Sequence, residues 1–577
     1  MRSISTILFS IICFSALAQE GPVPPTGNVA TAKTYITEGS YGLALAELKL
    51  AIRKDPEDIK INQMIAECYL NTNEDKPKAI AHLEKVVKSG KYDAIDLYDL
   101  GKAYAYNEEI DKAIEYFNRY KKEGKLKPDE LEDVDHEIEK AQTAKELMKI
   151  PLNITFTNLG KDVNTEFFEG HPFTNENESA IYFTTKRKGT TGGGTGDEGF
   201  VSDVYQIELK PGDKWSKAKN VGASVNTFSL EEITSLSSNG SYLVFTMIDE
   251  IGAQRIKYCE KLGKAKSFGK AIDFGELIND VSSIENAQTS GCISNDGQTC
   301  IFSSNRKGGF GGFDLYISIR RPNGTWGEPL NLGSKINTKY DETYPNFGAN
   351  NNTLYFASAG HTNMGGFDIF KTVFSSESHA FSNPVNLGYP INTTDNDYCI
   401  SFNKTGRNAY VGRRKTGGFG NLDIYQLTFK NVGPPYTVVA LNLKAHANYQ
   451  LQMHNADSLI ELHNAYLNDP AASKIPADSS KSIIARMKNL KASLDPVTGS
   501  MITVTNTANN KTYGEYSPNL KTGRAIMILE PGVYEITVSN DKYKVSKTKV
   551  TILDKANFVQ ETKVDVIMHK GELETAK

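Results

Sequence analysis

Apolar positions along the chain follow two periods, and the change from one to the other divides it. Between residues 29 and 150 they recur at helical spacing: Ala32, Tyr35, Ala44, Leu48, Ala51 and Pro56, then Ala66, Tyr69, Ala79 and Leu83, then Gly101, Tyr104, Ala113 and Phe117. The offset of about 34 residues predicts stacked helix-turn-helix repeats, in which small residues let paired helices approach and large ones fill the gap. The charged stretch from Pro128 to Lys149 predicts a last helix that gives the stack a polar end. From 152 to 430 the period falls to two, the mark of half-buried strands.

Those strands come in copies. The clearest runs from Ile301-Phe302 through Ser303-Ser304-Asn305-Arg306-Lys307 and the glycines 308, 309, 311 and 312 to Phe313-Asp314-Leu315-Tyr316, preceded by the turn Asp296-Gly297. Aspartate-glycine predicts a tight hairpin, and the glycines allow the positive φ that the next reversal needs. Copies follow at Tyr355-Phe356 to Asp368-Ile369-Phe370 and at Gly417-Gly418 to Asp423-Ile424-Tyr425, and an earlier one ends in Asp203-Val204-Tyr205. Asp314, Asp368 and Asp423 stand 54 and 55 residues apart, whereas Asp203 and Asp314 are 111 apart. An eroded copy is therefore expected halfway, and Tyr242-Leu243-Val244-Phe245 followed by Ile256-Lys257-Tyr258 fits, without the glycines or the aspartate.

A second set is displaced by one place. Asn220-Val221-Gly222, Phe274-Gly275, Asn331-Leu332-Gly333 and Asn386-Leu387-Gly388 each run on to Val225-Asn226-Thr227, Ile278-Asn279-Asp280, Ile336-Asn337-Thr338 and Ile391-Asn392-Thr393. None follows Tyr425, yet Asn158-Leu159-Gly160 with Val163-Asn164-Thr165 stands alone before the first copy. About 55 residues and three or four strands per repeat predict a propeller. The displaced unit predicts that the first strand completes the last blade, so that the ring leaves no open edge there.

Beyond Pro434-Pro435 the chain reads as a strand over 436–445, a polar helical stretch over 447–492, and strands at Met501 to Val504, Ala525 to Leu529 and Val533 to Val538. The expected fold is multidomain, α plus all-β. An N-terminal α-helical solenoid (29–150) is followed by a five-bladed β-propeller (152–430) and by a β-sandwich (434–569) with a helical insertion at 447–492.

These motifs resemble known families. The helical repeats look like tetratricopeptide repeats. The Ser-x-Arg-x-Gly-Gly-x-Gly-Gly-x-Asp-Leu-Tyr string around Arg306 and the Trp-Gly-Glu-Pro-Leu-Asn-Leu-Gly string from Trp326 to Gly333 resemble WD40-like repeats of the Tol-system propellers and of Bacteroidota outer-membrane-associated proteins. Leu529-Glu530-Pro531-Gly532-Val533-Tyr534 with Tyr543 resembles the carboxypeptidase regulatory-like sandwich. In this order the three resemble periplasmic Bacteroidota proteins linked to type IX secretion and gliding. Those usually end in an OmpA-like peptidoglycan-binding domain; no such pattern precedes Lys577, so a direct peptidoglycan anchor is not expected.

Composition narrows the picture further. Residues 1–18, with Arg2, an apolar run and Ala16-Leu17-Ala18, read as a secretory signal peptide, so the chain is expected to be exported. A net charge of −4 gives no reason to expect nucleic acid. Six cysteines, five of them beyond the signal, make no disulfide framework; Cys292 and Cys300, which flank a turn, are either a bridge or two buried apolar side chains.

Candidate chemistry is sparse. There is no Gly-x-Ser-x-Gly elbow and no His-Glu-x-x-His, and the nine histidines do not cluster, so neither catalysis nor a metal or other cofactor is expected. Asp203, Asp314, Asp368 and Asp423 are the sharpest polar signal. Their repetition favours a structural role, with backbone N–H groups or the turn arginine (Arg306 for Asp314) as donors, over a ring of ligands. Asp395 and Asp397 resemble half a calcium loop, and a solvated loop is the simpler reading. The glycine turns precede strands rather than helices, which argues against phosphate binding. The expected function is a noncatalytic periplasmic scaffold, peripherally associated with the outer membrane. Its partners would be proteins of the outer membrane or periplasm, reached through the tetratricopeptide groove and a propeller face. The alternative is a propeller that binds, or less readily hydrolyses, glycan or peptide.

Overall fold

The computed structural model describes residues 24–72, 75–195, 199–212, 214–248, 252–261, 267–280, 285–375, 380–415, 417–430, 437–445, 495–529, 532–552 and 561–569. The expected signal peptide, the Pro434-Pro435 boundary and the insertion at 447–492 lie outside them. The described chain is mostly β-strand, with its α-helices in the N-terminal part, and forms two compact units, Met1–Asn431 and Val432–Lys577.

Helices α1 (Val29–Thr37), α2 (Tyr41–Ala51), α3 (Ile59–Leu70), α4 (Ala79–Lys88), α5 (Ala94–Tyr106), α6 (Ile110–Glu123) and α7 (Pro128–Leu147) pack in chain order, each against the next. Their starts are fixed locally: the side chains of Asn28 and Asp58 accept first-turn N–H groups, and Pro128 stands where its missing N–H costs nothing. Ala32, Ala44, Leu48, Ala66, Tyr69, Leu83, Tyr104, Ala113 and Phe117 are all buried in one core. Gly101 is where α5 meets α6 most closely, since a Cβ there would lie 2.7 Å from the Phe117 ring.

Five antiparallel sheets follow, each of at least four strands. In strand order, the first comprises Glu169–Thr174, Ala180–Thr185, Asp203–Lys210 and Lys214–Trp215, with Lys219–Asn220 alongside. The second comprises Glu231–Leu236, Tyr242–Ile248, Gln254–Glu260 and Ile272–Asp273; the third, Gln288–Ile293, Thr299–Ser304, Asp314–Ile319 and Leu330–Asn331. The fourth comprises Glu342–Phe347, Thr353–Ser358, Asp368–Ser375 and Ala380–Phe381, with Val385–Asn386 alongside. The fifth takes Ser401–Phe402, Asn408–Arg413 and Asp423–Phe429 from late in the unit and its outer strand, Ile154–Asn158, from before the first sheet. That strand runs antiparallel from Ile154 opposite Phe429 to Asn158 opposite Tyr425, as the displaced repeat predicts.

Cores lie between sheets rather than within them. Phe173, Tyr182 and Val204 of the first sheet pack with Ile233, Leu243 and Phe245 of the second. Equivalent clusters join second to third, third to fourth and fourth to fifth, and Tyr410 and Ile424 of the fifth pack with Ile181, Phe183 and Tyr205 of the first. Hydrogen bonds follow the same route. Ile233 N–H donates to Thr184 Oγ1 (3.1 Å), Thr234 Oγ1 to Gly291 O (3.0 Å), Tyr344 N–H to Ser290 Oγ (2.8 Å), Asp397 N–H to Phe367 O (2.7 Å) and Thr174 N–H to Ser401 Oγ (2.9 Å). Each sheet is thus tied to the next, and the fifth to the first.

In the second unit, Thr437–Ala445 pairs with Asp495–Pro496, with Arg524–Leu529 and, in parallel, with Glu561–Ile567. A second sheet orders Lys511–Tyr516, Met501–Asn506, Gly532–Asn540 and Tyr543–Ile552. One core is shared by both sheets, including Val439, Leu441, Met527, Ile502, Ile536 and Val538.

Cys292 and Cys300 do not form the bridge that was one of the two expectations. Cys292 pairs in register with Ile301, and Cys300 with Ile293, so alternation sends the two thiols to opposite faces of the third sheet. Both are buried and unbridged, one in the core towards the fourth sheet and the other in the core towards the second.

Candidate functional site

The repeated aspartates head the third strand of four sheets, and each sits in the same clasp. Asp314 accepts the N–H groups of Phe310 (2.6 Å) and Gly311 (3.1 Å) and the amide of Asn331 (2.7 Å). Asp368 takes Met364 N, Gly365 N and Asn386 Nδ2; Asp423 takes Phe419 N, Gly420 N and Asn158 Nδ2. Asp203 substitutes Thr191, through N–H and hydroxyl, for one of these and keeps Asn220. Burial pushes the Asp368 carboxyl up to about 7 and raises that of Asp203.

A second asparagine completes the unit. In the third sheet Asn337 Oδ1 accepts Leu315 N–H (2.8 Å), and its Nδ2 donates to Leu315 O (3.0 Å) and Asn331 Oδ1 (2.8 Å). The amide therefore stands in for a neighbouring strand. Asn226, Asn392 and Asn164 do the same for Val204, Ile369 and Ile424. The threonine that follows binds an acid at the start of the next sheet's first strand, or just before it: Thr165 to Glu169, Thr227 to Glu231, Thr338 to Glu342 and Thr393 to Asp397. Burial lifts Glu231 and Glu342 to about 7. Asp397 is thus a buried member of this series, also paired with Arg413, and the solvated-loop reading is corrected for it.

The turn arginine does not reach its aspartate. Arg306 donates instead to Ser304 Oγ and to Leu277 O (3.0 Å) and Ile278 O (2.7 Å) of the preceding sheet's turn. Arg187 reaches Val163 O (2.6 Å), His361 is bonded to Ile336 O (2.8 Å), and Arg413 reaches Pro390 O (2.6 Å) and Ile391 O. These side chains bind sheet to sheet. Four of the five sheets also set a cation or imidazole against a pair of aromatic rings: Arg187 over Phe183 and Tyr205, Arg306 over Phe302 and Tyr316, His361 against Phe356 and Phe370, and Lys415 over Phe156 and Tyr425.

The second sheet breaks the pattern in a coordinated way. Arg255 stands in the aspartate's place opposite Met247, Asp273 in that of the first asparagine, and Gln288 in that of the next sheet's acid. Arg255 Nη1 now donates to Asn286 O (2.6 Å) and Gln288 Oε1 (3.3 Å). Asn279 still bridges Ile256 N–H and C=O. The sequence shows this sheet as a copy that has lost its aspartate; what replaced it is visible only in the register.

The helical layer lies against turns of the fourth and fifth sheets. Lys76 donates to Asp395 Oδ1 (2.5 Å) with its ammonium 4.5 Å from the Tyr106 ring centre. Burial opposes the Lys76 charge, but Tyr106 and Asp395 hold its pKa above the usual lysine range. From α7, His136 bonds Ala359 O (3.1 Å) and stacks on Tyr340, and Glu132 pairs with Lys339. Met364 is buried among Ile110, Ala141 and Ala144. Nearby, His171 and Tyr344, both at positive φ, bring their rings to 4.8 Å, and Tyr398 packs on both; burial pushes His171 down to about 4. Part of the helical surface expected to serve partners is engaged here.

Among the described residues no group of three or more His, Cys, Asp or Glu side chains is placed to hold a metal ion, and no helix is long and apolar enough to cross a membrane. Fold and clasps together define a mostly β protein of repeated, mutually bonded sheets preceded by helices. No family model and no curated protein matches the chain. Solved structures similar to parts of it include TolB from Acinetobacter baumannii, 14% identical with a TM-score of 0.27 over 45% of this chain and 55% of that one. Others are the periplasmic gluconolactonase of Pseudomonas aeruginosa (12%, TM-score 0.28, 45% and 88%) and a Trypanosoma rangeli sialidase (8%, TM-score 0.30, 71% and 91%). This chain thus spans little more than half of the TolB chain. At these identities and TM-scores the likenesses are no evidence of activity, substrate or partner.

Proposed function

We propose that the chain is a noncatalytic scaffold, exported to the periplasm and peripherally associated with an outer-membrane machine of the secretion or gliding kind. On this reading the five sheets are blades of a closed WD40-like propeller, the helices a tetratricopeptide solenoid, and the second unit a carboxypeptidase regulatory-like sandwich. One observation carries it: the repeated carboxylates, the side chains best suited to chemistry, are all engaged in holding strands and sheets together. Asp314, Asp368 and Asp423 each have both carboxylate oxygens engaged by neighbouring N–H and amide donors, and Asp203 has its Oδ2 held by Thr191 and Asn220. Buried polar groups so matched stabilise a fold and are poorly placed to turn over a substrate. A chain of interaction-type domains without free chemistry is best used by what it touches.

Affinity purification of the tagged full-length chain from a native envelope tests this. Reproducible recovery of outer-membrane proteins is expected. Recovery as a free monomer, or turnover of a glycan or peptide library by the purified chain, would overturn it.

A further inference from the structure

In the third, fourth and fifth sheets the turn that closes the aspartate's clasp carries an apolar side chain at the same point. Phe310, Met364 and Phe419 are equivalent: each donates its N–H to the aspartate four residues on, Asp314, Asp368 and Asp423. Their surroundings differ. Met364 is 2% exposed, seated between α6 and α7 against Ile110, Ala141 and Ala144, whereas Phe310 and Phe419 are 52% and 49% exposed. The clasp fixes the backbone of all three turns, so the two phenylalanines are presented to solvent from a rigid support. An aromatic side chain held in that way meets a partner without the cost of ordering a loop.

These turns adjoin an interface that the chain already makes with itself. Each rests on the loop that enters the next sheet: a Cβ at Gly311 would lie 2.1 Å from Tyr340 O, one at Gly365 2.2 Å from Thr393 O, and one at Gly420 2.2 Å from Phe167 O. The helical layer grips the first two of these loops, through Glu132 on Lys339, His136 on Tyr340 and Lys76 on Asp395. Phe310 therefore stands beside the α7 contact, and Phe419 holds the matching place one sheet beyond Met364. What seats Met364 shows what fits the other two. Ala141 and Ala144, three residues apart on one helix face, leave a notch that a side chain enters, and Ile110 of α6 closes it. Charge adds a second requirement. Lys307 and Lys415 are exposed beside Phe310 and Phe419, whereas the Met364 turn from Gly360 to Gly366 has neither lysine nor arginine. Carboxylates at the rim of a notch, placed as Glu132 is for Lys339, complement those cations.

We propose that Phe310 and Phe419 are docking knobs for an α-helical surface of a partner protein, one with a small-residue notch flanked by carboxylates. The proposal rests on the scaffold reading for the existence of a partner and adds its chemistry and its place. Photo-crosslinking of the full-length chain in its native envelope tests it, with benzoylphenylalanine replacing Phe310 or Phe419 and, as control, Leu330, which is exposed on an outer strand. Both knob positions should crosslink to another protein, in a segment with small residues at helical spacing beside Asp or Glu, and position 330 should not. A synthetic peptide of that segment should bind the purified wild type and lose at least about tenfold in affinity, the loss of one ring contact, for Phe310→Ser/Phe419→Ser. Both side chains are exposed, so the melting temperature should not change, and each single variant repeats the test if the double one fails to fold. Lys307→Glu should weaken the peptide too. Crosslinks only to lipid, to a second copy of this chain or to nothing would overturn the proposal, as would equal peptide affinity in the double variant. Recovery of the same outer-membrane proteins by wild type and double variant would overturn this placement and leave the scaffold reading standing.

Discussion

Replacing Asn164 by alanine probes the contact that joins the start of the sheet region to its end. The side chain is buried, and its amide is bonded to both the N–H (2.8 Å) and the C=O (3.1 Å) of Ile424, 260 residues away. Alanine leaves the Ile424 N–H unpaired in a site with no solvent exposure at Ile424, while the C=O keeps the N–H of Leu159 (3.2 Å). A buried orphan of this kind costs about 1–3 kcal/mol. Asn337→Ala is the control: it removes the same bonds to Leu315, but within a contiguous segment 22 residues long. Native-state hydrogen exchange of the full chain, read on peptides covering 154–158, 314–319 and 423–429, separates the two. In Asn164→Ala, exchange at 154–158 and 423–429 should quicken roughly 5- to 160-fold, the equivalent of that free energy, with 314–319 little changed. Asn337→Ala should do the reverse. Unchanged exchange at 423–429 in Asn164→Ala, or equal acceleration of all three segments by both variants, would refute the idea that this amide closes the series.

Three further outcomes are expected. Glu342, like Glu231, has its carboxyl pushed up to about 7 by burial, so its contribution is intact below the ordinary value of 4.5 and declines as pH rises through 7. Urea midpoints of the wild type should fall between pH 5 and pH 8, and Glu342→Gln should shrink that fall; an identical decline in the variant would contradict the assignment. Lys76→Glu should loosen the helical layer by about 1–3 kcal/mol, given a mostly buried lysine and a half-exposed partner. Limited proteolysis should then cut between α7 and Ile154, with Asp395→Lys restoring part of the protection; a double variant no better protected than the single one would remove the pair from the docking account. Finally, the thiol titre of the denatured protein should be the same with and without reductant, and Cys292 and Cys300 should be silent in the native state, where burial raises both thiols. A reductant-dependent titre would mean a bridge.

What could be read in the sequence depended on whether a contact repeats. The clasp aspartates repeat every 54 or 55 residues, so their structural role was visible, and the displaced Asn158–Thr165 unit gave the pairing of Ile154–Asn158 with Asp423–Phe429 by counting alone. Donors were harder. Arg306 lies eight residues before Asp314, and proximity in sequence suggested a pair; the guanidinium instead binds carbonyls 28 and 29 residues earlier, in another sheet. Period-two alternation says which face a residue points to and nothing about which sheet faces it. The helical layer's docking was not legible at all: Lys76 and Asp395 are 319 residues apart and belong to no repeat. For Cys292 and Cys300, flanking a turn suggested proximity, whereas the register offset of one residue separates the thiols by the thickness of a sheet.

The second sheet is better described as rebuilt than as worn. An arginine placed alone in the aspartate's clasp would face donors with a donor, and an aspartate placed alone for the clasp asparagine would set carboxylate against carboxylate; both arrangements are costly when buried. In this chain the changes occur together. Arg255 meets the carbonyl oxygens of Asn286 and Gln288 rather than N–H groups, Gln288 brings no charge of its own, and Asp273 accepts from Asn279 and from Gly275 N–H. Asn279 retains the bridge to Ile256 that its counterparts make in the other sheets. The sheet therefore keeps the amide that stands in for a strand and gives up the carboxylate clasp and the threonine–acid bond that follows it. Random loss would not be expected to exchange donor and acceptor partners together in this way. The repeat is broken at several coupled positions, and the hydrogen bonding is re-formed around the change.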